Sequence, residues 1–123
     1  SSSPQQGLVE NFVTAYNAQD AGAMGALAHP DIEWLYITGS GTVVMTSGRA
    51  AMTKELEGHF AGPRKVTSYL GGWGVNGNFL SVKETAAWTD KDGASKQQSS
   101  IAVYEIENGL IRRVWYYPEQ GGG

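Results

Sequence analysis

Residues 75–117 read VNGNFLSVKETAAWTDKDGASKQQSSIAVYEIENGLIRRVWYY. Three turn signals punctuate the stretch: Asn76-Gly77, Asp90-Lys91-Asp92-Gly93 and Asn108-Gly109. Asn-Gly suits the positive-φ positions of a tight hairpin turn. Between the turns, runs 78–89, 95–107 and 110–117 are rich in Val, Ile, Trp and Tyr, the residues that fit a pleated, half-buried surface. A further run, Lys65 to Val75, precedes the first turn, and Gly71, Gly72 and Gly74 inside it mark bulges or bends. Three consecutive hairpins predict an antiparallel meander of four strands.

Working toward the N-terminus, the pattern changes period. Leu8, Val9, Phe12, Val13 and Tyr16 recur at spacings of three and four and predict a helix over 6–19. Asp20 is placed to cap a short second helix over 21–28, which carries Met24 and Leu27 and which Pro30 stops. Ile32 to Ile37 reads as a strand, Gly39-Ser40-Gly41 as a turn, and Thr42 to Thr46 as the returning strand. A third helix is expected over 49–60, with Met52, Leu56 and Phe60 four apart and Gly62-Pro63 closing it. Helices gathered on one side of an antiparallel sheet make the class α+β. The expected architecture is three helices on a strongly curved, antiparallel or mixed six-stranded sheet. Residues 1–5 and 120–123 are read as flexible ends around one domain over 6–119.

Composition bounds the function. The 123 residues suit one domain, with 41% hydrophobic and 17% charged residues and a net charge of −3. Basic residues come no closer together than the pairs Arg64-Lys65 and Arg112-Arg113, so no basic face for nucleic acid is expected. No run approaches the roughly 20 apolar residues of a membrane span. The absence of cysteine removes disulfides, thiol nucleophiles and cysteine-bound zinc from consideration. The chain opens Ser1-Ser2-Ser3-Pro4 without Met, which reads as a processed mature end or a cut end. A cytoplasmic and a periplasmic or secreted location both stay open.

The order helix, helix, hairpin, helix, meander resembles the nuclear transport factor 2-like, or SnoaL-like, superfamily. Phe12 to Asp20 is similar to that family's first helix and its Asn-Ala-x-Asp break, here Asn17-Ala18-Gln19-Asp20. Leu27-Ala28-His29-Pro30-Asp31-Ile32 is similar to its junction into the first strand, and Ser47-Gly48-Arg49 to its entry into the third helix. Asn108-Gly109-Leu110-Ile111 with Trp115-Tyr116-Tyr117 resembles its last hairpin. The resemblance implies a cone with an internal pocket and, for many members, pairing through the outer sheet face. It does not imply one reaction. The ketosteroid isomerase pattern would put its base at Tyr36, its oxyanion tyrosine near Phe12 and its oxyanion aspartate near Ala102, and all three are replaced. Neither the Asp-Arg-Asp set of limonene epoxide hydrolases nor the paired histidines of scytalone dehydratase can be assembled.

Glu84 is the most informative single residue. Strand alternation puts it on one face with Leu80, Val82, Ala86 and Trp88. A carboxylate on an apolar face is costly unless it is protonated, paired or hydrogen-bonded. Two readings stay open. It is a structural carboxylate, paired with Arg112 or accepting from Tyr36, Tyr69, Tyr104 or Tyr116; or it faces a ligand, where a raised pKa would suit acid/base work. The aromatics read by parity as concave are Tyr16, Trp34, Tyr36, Tyr69, Trp73, Trp88, Tyr104 and Tyr116, joined by Phe12 and Phe60 from the helices. Either they fill a core, or they line a pocket for an apolar molecule with a polar group or two. His59 reads as a helix-end residue near the pocket mouth, His29 as a residue at a helix C-terminus, and Arg49 as solvated. No metal or cofactor is expected.

Ile101, Val103, Trp115 and Tyr117 alternate away from that concave set, so the outer face is apolar as well. A homodimer through this face is the expectation, with cover by a chain end as the alternative. The leading functional expectation is a domain that binds a small apolar or aromatic molecule. The alternatives are an isomerase, cyclase or dehydratase in which Glu84, Tyr36 and Tyr104 do the chemistry, and a dimeric protein-interaction module.

Overall fold

The computed structural model describes residues 3–121. Helix α1 spans Pro4–Asn17; the Ser3 hydroxyl caps it by accepting from the Gln6 N–H, and a proline at its start costs no hydrogen bond. It starts two residues before the expected start at 6. It buries Val9, Phe12 and Val13. Gln19 then takes a left-handed φ of 58°, which reverses the chain, and Asp20 caps α2, Ala21–Leu27, its carboxylate accepting from the Ala23 N–H.

Strand β1, Ala28–Thr38, follows α2 without a break. His29 therefore stands in a strand, against the expected helix C-terminus, and its imidazole lies 3.2 Å from Glu107. Pro30 is tolerated there because β1 pairs with the last long strand at Ala28 and again from Glu33, leaving the proline in the unpaired gap. β2, Gly41–Ser47, turns back on β1, and Gly48, at φ 95°, starts α3, Arg49–Ala61. Arg49 is not merely solvated: its guanidinium donates twice to the Ala28 carbonyl, at 3.1 and 2.7 Å, tying α3 to the head of β1.

The meander follows as β3 Thr67–Asn76, β4 Phe79–Thr89, β5 Ser95–Glu107 and β6 Leu110–Tyr116. Asn108 and Gly109 both adopt positive φ, 54° and 74°, as their hairpin requires. The sheet order is β2-β1-β6-β5-β4-β3, with β1 and β6 parallel and the other neighbours antiparallel. Three helices thus pack on a curled, mixed sheet. Two of the residues expected in a flexible tail instead form a short strand, β7 Gln120–Gly121, on Gln98 and Ser99 of β5. β6 stops at the level of Ala102, so the β5 edge beyond it has free backbone groups that β7 satisfies. Residues 1–2 and 122–123 of the expected flexible ends lie outside the described residues.

One continuous core joins α1, α2 and α3 to the concave side of the sheet, through Val9, Phe12, Met24, Met52 and Leu56 against Leu80, Val82, Ala102, Tyr104 and Val114. On the outer side, Arg113 of β6 bridges Glu33 of β1 and Glu105 of β5, each at 2.9 Å. Among the described residues no helix is long and apolar enough to cross a membrane.

Candidate functional site

The core does not fill the cone. Where α1 and α3 face β4, β5 and β6, a cavity of about 400 Å³ remains, within the size range of small-molecule sites. Glu84 stands in its wall, opposite Leu70 of β3 and Ser100 of β5. The Tyr104 hydroxyl donates to one Glu84 oxygen, Oε2, at 2.7 Å. The other oxygen, Oε1, has no hydrogen-bond partner among the described residues. Burial pushes the carboxyl up to about 7, and the Tyr104 hydrogen bond pulls the other way without cancelling it.

The surrounding tyrosines are biased against ionisation. Tyr104 and Tyr116 are held well above the ordinary tyrosine value, first by burial and then by the Glu84 charge. Tyr16 and Tyr36 are raised by the same two effects, with Glu119 adding to the field at Tyr36. Of these five groups, Glu84 is the one that exchanges a proton near neutrality.

Around the mouth, α3 and the C-terminal segment add polar groups. The Tyr16 hydroxyl and His59 Nε2 are 2.9 Å apart, with their rings stacked at 5.8 Å. Glu55 accepts from the Thr46 hydroxyl at 2.6 Å, and Glu119 from the Gln98 amide at 2.9 Å. Phe12, Val13, Trp34, Leu56 and Ala86 give apolar wall, and Ser68, Ser99 and Ser100 give hydroxyls. The Trp34 indole N–H is buried with no acceptor among the described residues. An unmet donor of this kind costs about 1–3 kcal/mol.

Of the residues singled out from sequence, Phe12, Tyr16, Trp34, Tyr36, Glu84, Tyr104 and Tyr116 line the cavity. Four others do not. Tyr69 pairs across from Thr85, on the face opposite Glu84, and is 60% exposed. Trp73 packs against the core rather than the cavity. Simple alternation puts Tyr69 and Trp73 on one face; the bulge between Gly71 and Gly74 breaks that alternation. Phe60 lies edge-on to Tyr16, at 5.4 Å, and supports the wall from behind. Trp88 keeps the expected parity but stands beyond the mouth, under the Arg64 guanidinium at 5.4 Å. Arg112 does not meet Glu84: it bonds the Asp31 carbonyl and approaches Glu33.

Sequence reasoning missed Glu55, Gln98 and Glu119 and left His59 as a helix-end residue; all four line the cavity. For α3 a signal existed. Met52, Glu55, Leu56 and His59 run at spacings of three and four, so two polar residues ride the edge of the buried stripe. For Glu119 there was none, because its place depends on β7 pairing.

Comparison with known proteins follows the same lines. No curated protein matches the chain in sequence. Among solved structures, an uncharacterized cystatin fold protein from Novosphingobium aromaticivorans superposes with a TM-score of 0.75 at 21% identity, over 94% of this chain and 98% of that one. TerC, co-crystallized with polyporic acid, gives 0.73 at 18% identity over 98% and 92%. RV0760c from Mycobacterium tuberculosis, in complex with estradiol-17beta-hemisuccinate, gives 0.76 at 17% identity over 95% of each chain. At these identities the likeness is one of fold. The family profile of the SnoaL-like domain matches residues 9–114, nearly the whole of the folded chain from α1 to β6, and on that match the protein belongs to the SnoaL-like domain family.

Proposed function

We propose that the cone binds a small, mostly apolar organic molecule whose polar group meets Glu84. The observation that carries this reading is the Glu84 carboxylate in an aromatic wall, one oxygen held by Tyr104 and the other without a protein partner. A carboxyl group set into an apolar surface costs free energy, and a ligand group bonded to its free oxygen offsets that cost. Aromatic rings supply the apolar contact with few rotamers to freeze. The small organic molecules held by TerC and by RV0760c, on the same fold, support the reading.

Native mass spectrometry of the protein purified from its host tests it, followed by denaturing analysis of whatever is released. Recovery of an apolar molecule that the Glu84→Gln variant retains poorly is the expected result. A chain that is ligand-free, and that shows no uptake from a library of apolar compounds, would overturn it.

One observation favours a second reading, in which Glu84 moves a proton on the bound molecule. A carboxyl titrating at about 7 is poised to accept and return a proton at neutral pH. Incubating the recovered molecule with protein in heavy water distinguishes the two. Protein-dependent deuterium uptake at carbon, lost in Glu84→Gln, marks acid/base catalysis; binding without uptake marks a carrier or sensor.

A further inference from the structure

The charges of the cavity are one-sided. Three carboxylates line it, Glu84 in the wall and Glu55 and Glu119 at the mouth, and no Lys or Arg does, among the described residues. Their hydrogen-bond partners are all neutral: the Tyr104 and Thr46 hydroxyls and the Gln98 amide. Elsewhere Glu33 and Glu105 pair with Arg113 and Asp90 with Lys96, while Glu10 and Asp20, on the helices, have neutral partners like those of the cavity. Arg64, beside the mouth, lies over the Trp88 ring in the groove outside. The one ring that could carry positive charge inside the lining is His59, and its Nε2 is engaged with the Tyr16 hydroxyl.

Two independent features point to what would complete this arrangement. The first is the free Oε1 of Glu84, an acceptor in the cavity wall without a protein donor among the described residues. The second is the aromatic lining. Tyr36 and Tyr116 lie tilted to each other at 5.6 Å in the same wall, and ring faces attract a cation placed over them. Resting on the reading that the cavity holds a small organic molecule, we propose that this molecule is a hydrophobic amine, protonated at neutral pH, whose ammonium group sits between Glu84 and the mouth carboxylates.

The chemistry is consistent on each side. An alkylammonium keeps its proton at neutral pH, as lysine does, and supplies donors where Glu84 needs one. Its approach favours the ionised form of Glu84, so binding draws the carboxyl proton off into solvent. An anion of the same shape meets three carboxylates, with only His59 as a group able to carry positive charge, and binds least. A neutral alcohol of the same shape keeps the apolar contacts and loses the charge.

Three probes of nearly one shape test this directly: naphthylmethylamine, naphthylmethanol and naphthoate, titrated calorimetrically at neutral pH and low salt. The amine is expected to bind at least about tenfold more tightly than the alcohol, a difference of about 1.4 kcal/mol, with naphthoate weakest. The preference shrinks severalfold in Glu84→Gln and in Glu119→Gln, while alcohol binding holds. Glu119 is exposed at the rim, so Glu119→Gln carries the test if the Glu84 variant folds poorly. An alcohol that binds as well as the amine, or a preference untouched by both variants, overturns the amine and leaves the apolar pocket standing. Failure of all three probes overturns the amine, and the apolar pocket then stands or falls with ligand recovery from the host and uptake from the library of apolar compounds.

Discussion

Glu84 costs the fold stability in the state that would serve a ligand best. Its carboxyl titrates at about 7 in the folded chain against 4.5 for an ordinary glutamate. The folded state therefore holds a proton that the unfolded state gives up between those two values. Stability from this group is fully present below about pH 4.5 and is lost as pH rises through 7. At 1.36 kcal/mol per unit, the loss is at most on the order of 3 kcal/mol. Urea denaturation of wild type and Glu84→Gln across this range isolates it. The expected difference curve slopes through the neutral region, and above about pH 8 the glutamine variant is the more stable protein. A flat difference curve would mean that the carboxyl is solvated in the folded chain. The hydroxyl that donates to it gives a second check. Tyr104→Phe removes the one effect that lowers the Glu84 value, so a carboxyl-carbon NMR titration should find the midpoint moved above about 7.

At the scale of the element, the bulge in β3 decides which rings reach the cavity. Gly72, within it, has a φ of 70°, which a residue with a Cβ adopts only under strain. Gly71, beside it, has neither positive φ nor any atom within 4 Å of a built Cβ. Gly72→Ala should thus cost about 1–2 kcal/mol in thermal denaturation, and Gly71→Ala a few tenths at most. Equal costs would show that the strand relaxes around the bulge. The same bulge marks how far sequence reasoning reached. Turn residues and hydrophobic period located the elements well: the expected strand 95–107 is β5 residue for residue, and Asp20 caps α2 as its side chain suggested. Parity also brought Glu84, Tyr104 and Tyr116 together in one wall, because β4 to β6 pair there with a single shift, between Glu105 and Ile106. It failed for Tyr69 because glycines announce a bulge without stating where alternation breaks. Glu119 was illegible for a different reason: its position follows from a backbone pairing that no side-chain pattern records.

At the scale of the molecule, the outer face of the sheet remains to be covered. Ile101, Tyr117 and Phe79 are 47%, 43% and 48% exposed, beside the half-buried Val103 and Trp115. Phe79 and Trp115 approach each other at 6.5 Å, and Val103 pairs across from Trp115 two residues from Ile101, so these apolar side chains are neighbours on one face. Among the described residues the C-terminal segment does not cover it: β7 pairs at Gln98 and Ser99 and leaves Ile101 open. A second copy of the chain, packed face to face on the same residues, would bury this surface with twofold symmetry. We therefore expect sedimentation at micromolar concentration to find a dimer, and Ile101→Lys to give a monomer that stays folded. A substitution on an exposed position costs the isolated fold about 0.5 kcal/mol or less, so retained folding separates a broken interface from a broken core. The cavity opens on the other side of the sheet, between the helices, so the monomeric variant should keep its affinity for naphthylmethylamine. A wild-type monomer would refute the pairing. Loss of amine binding in a folded Ile101→Lys monomer would show instead that the two faces of the sheet are coupled, through Val103 and Tyr104, which alternate between them on β5.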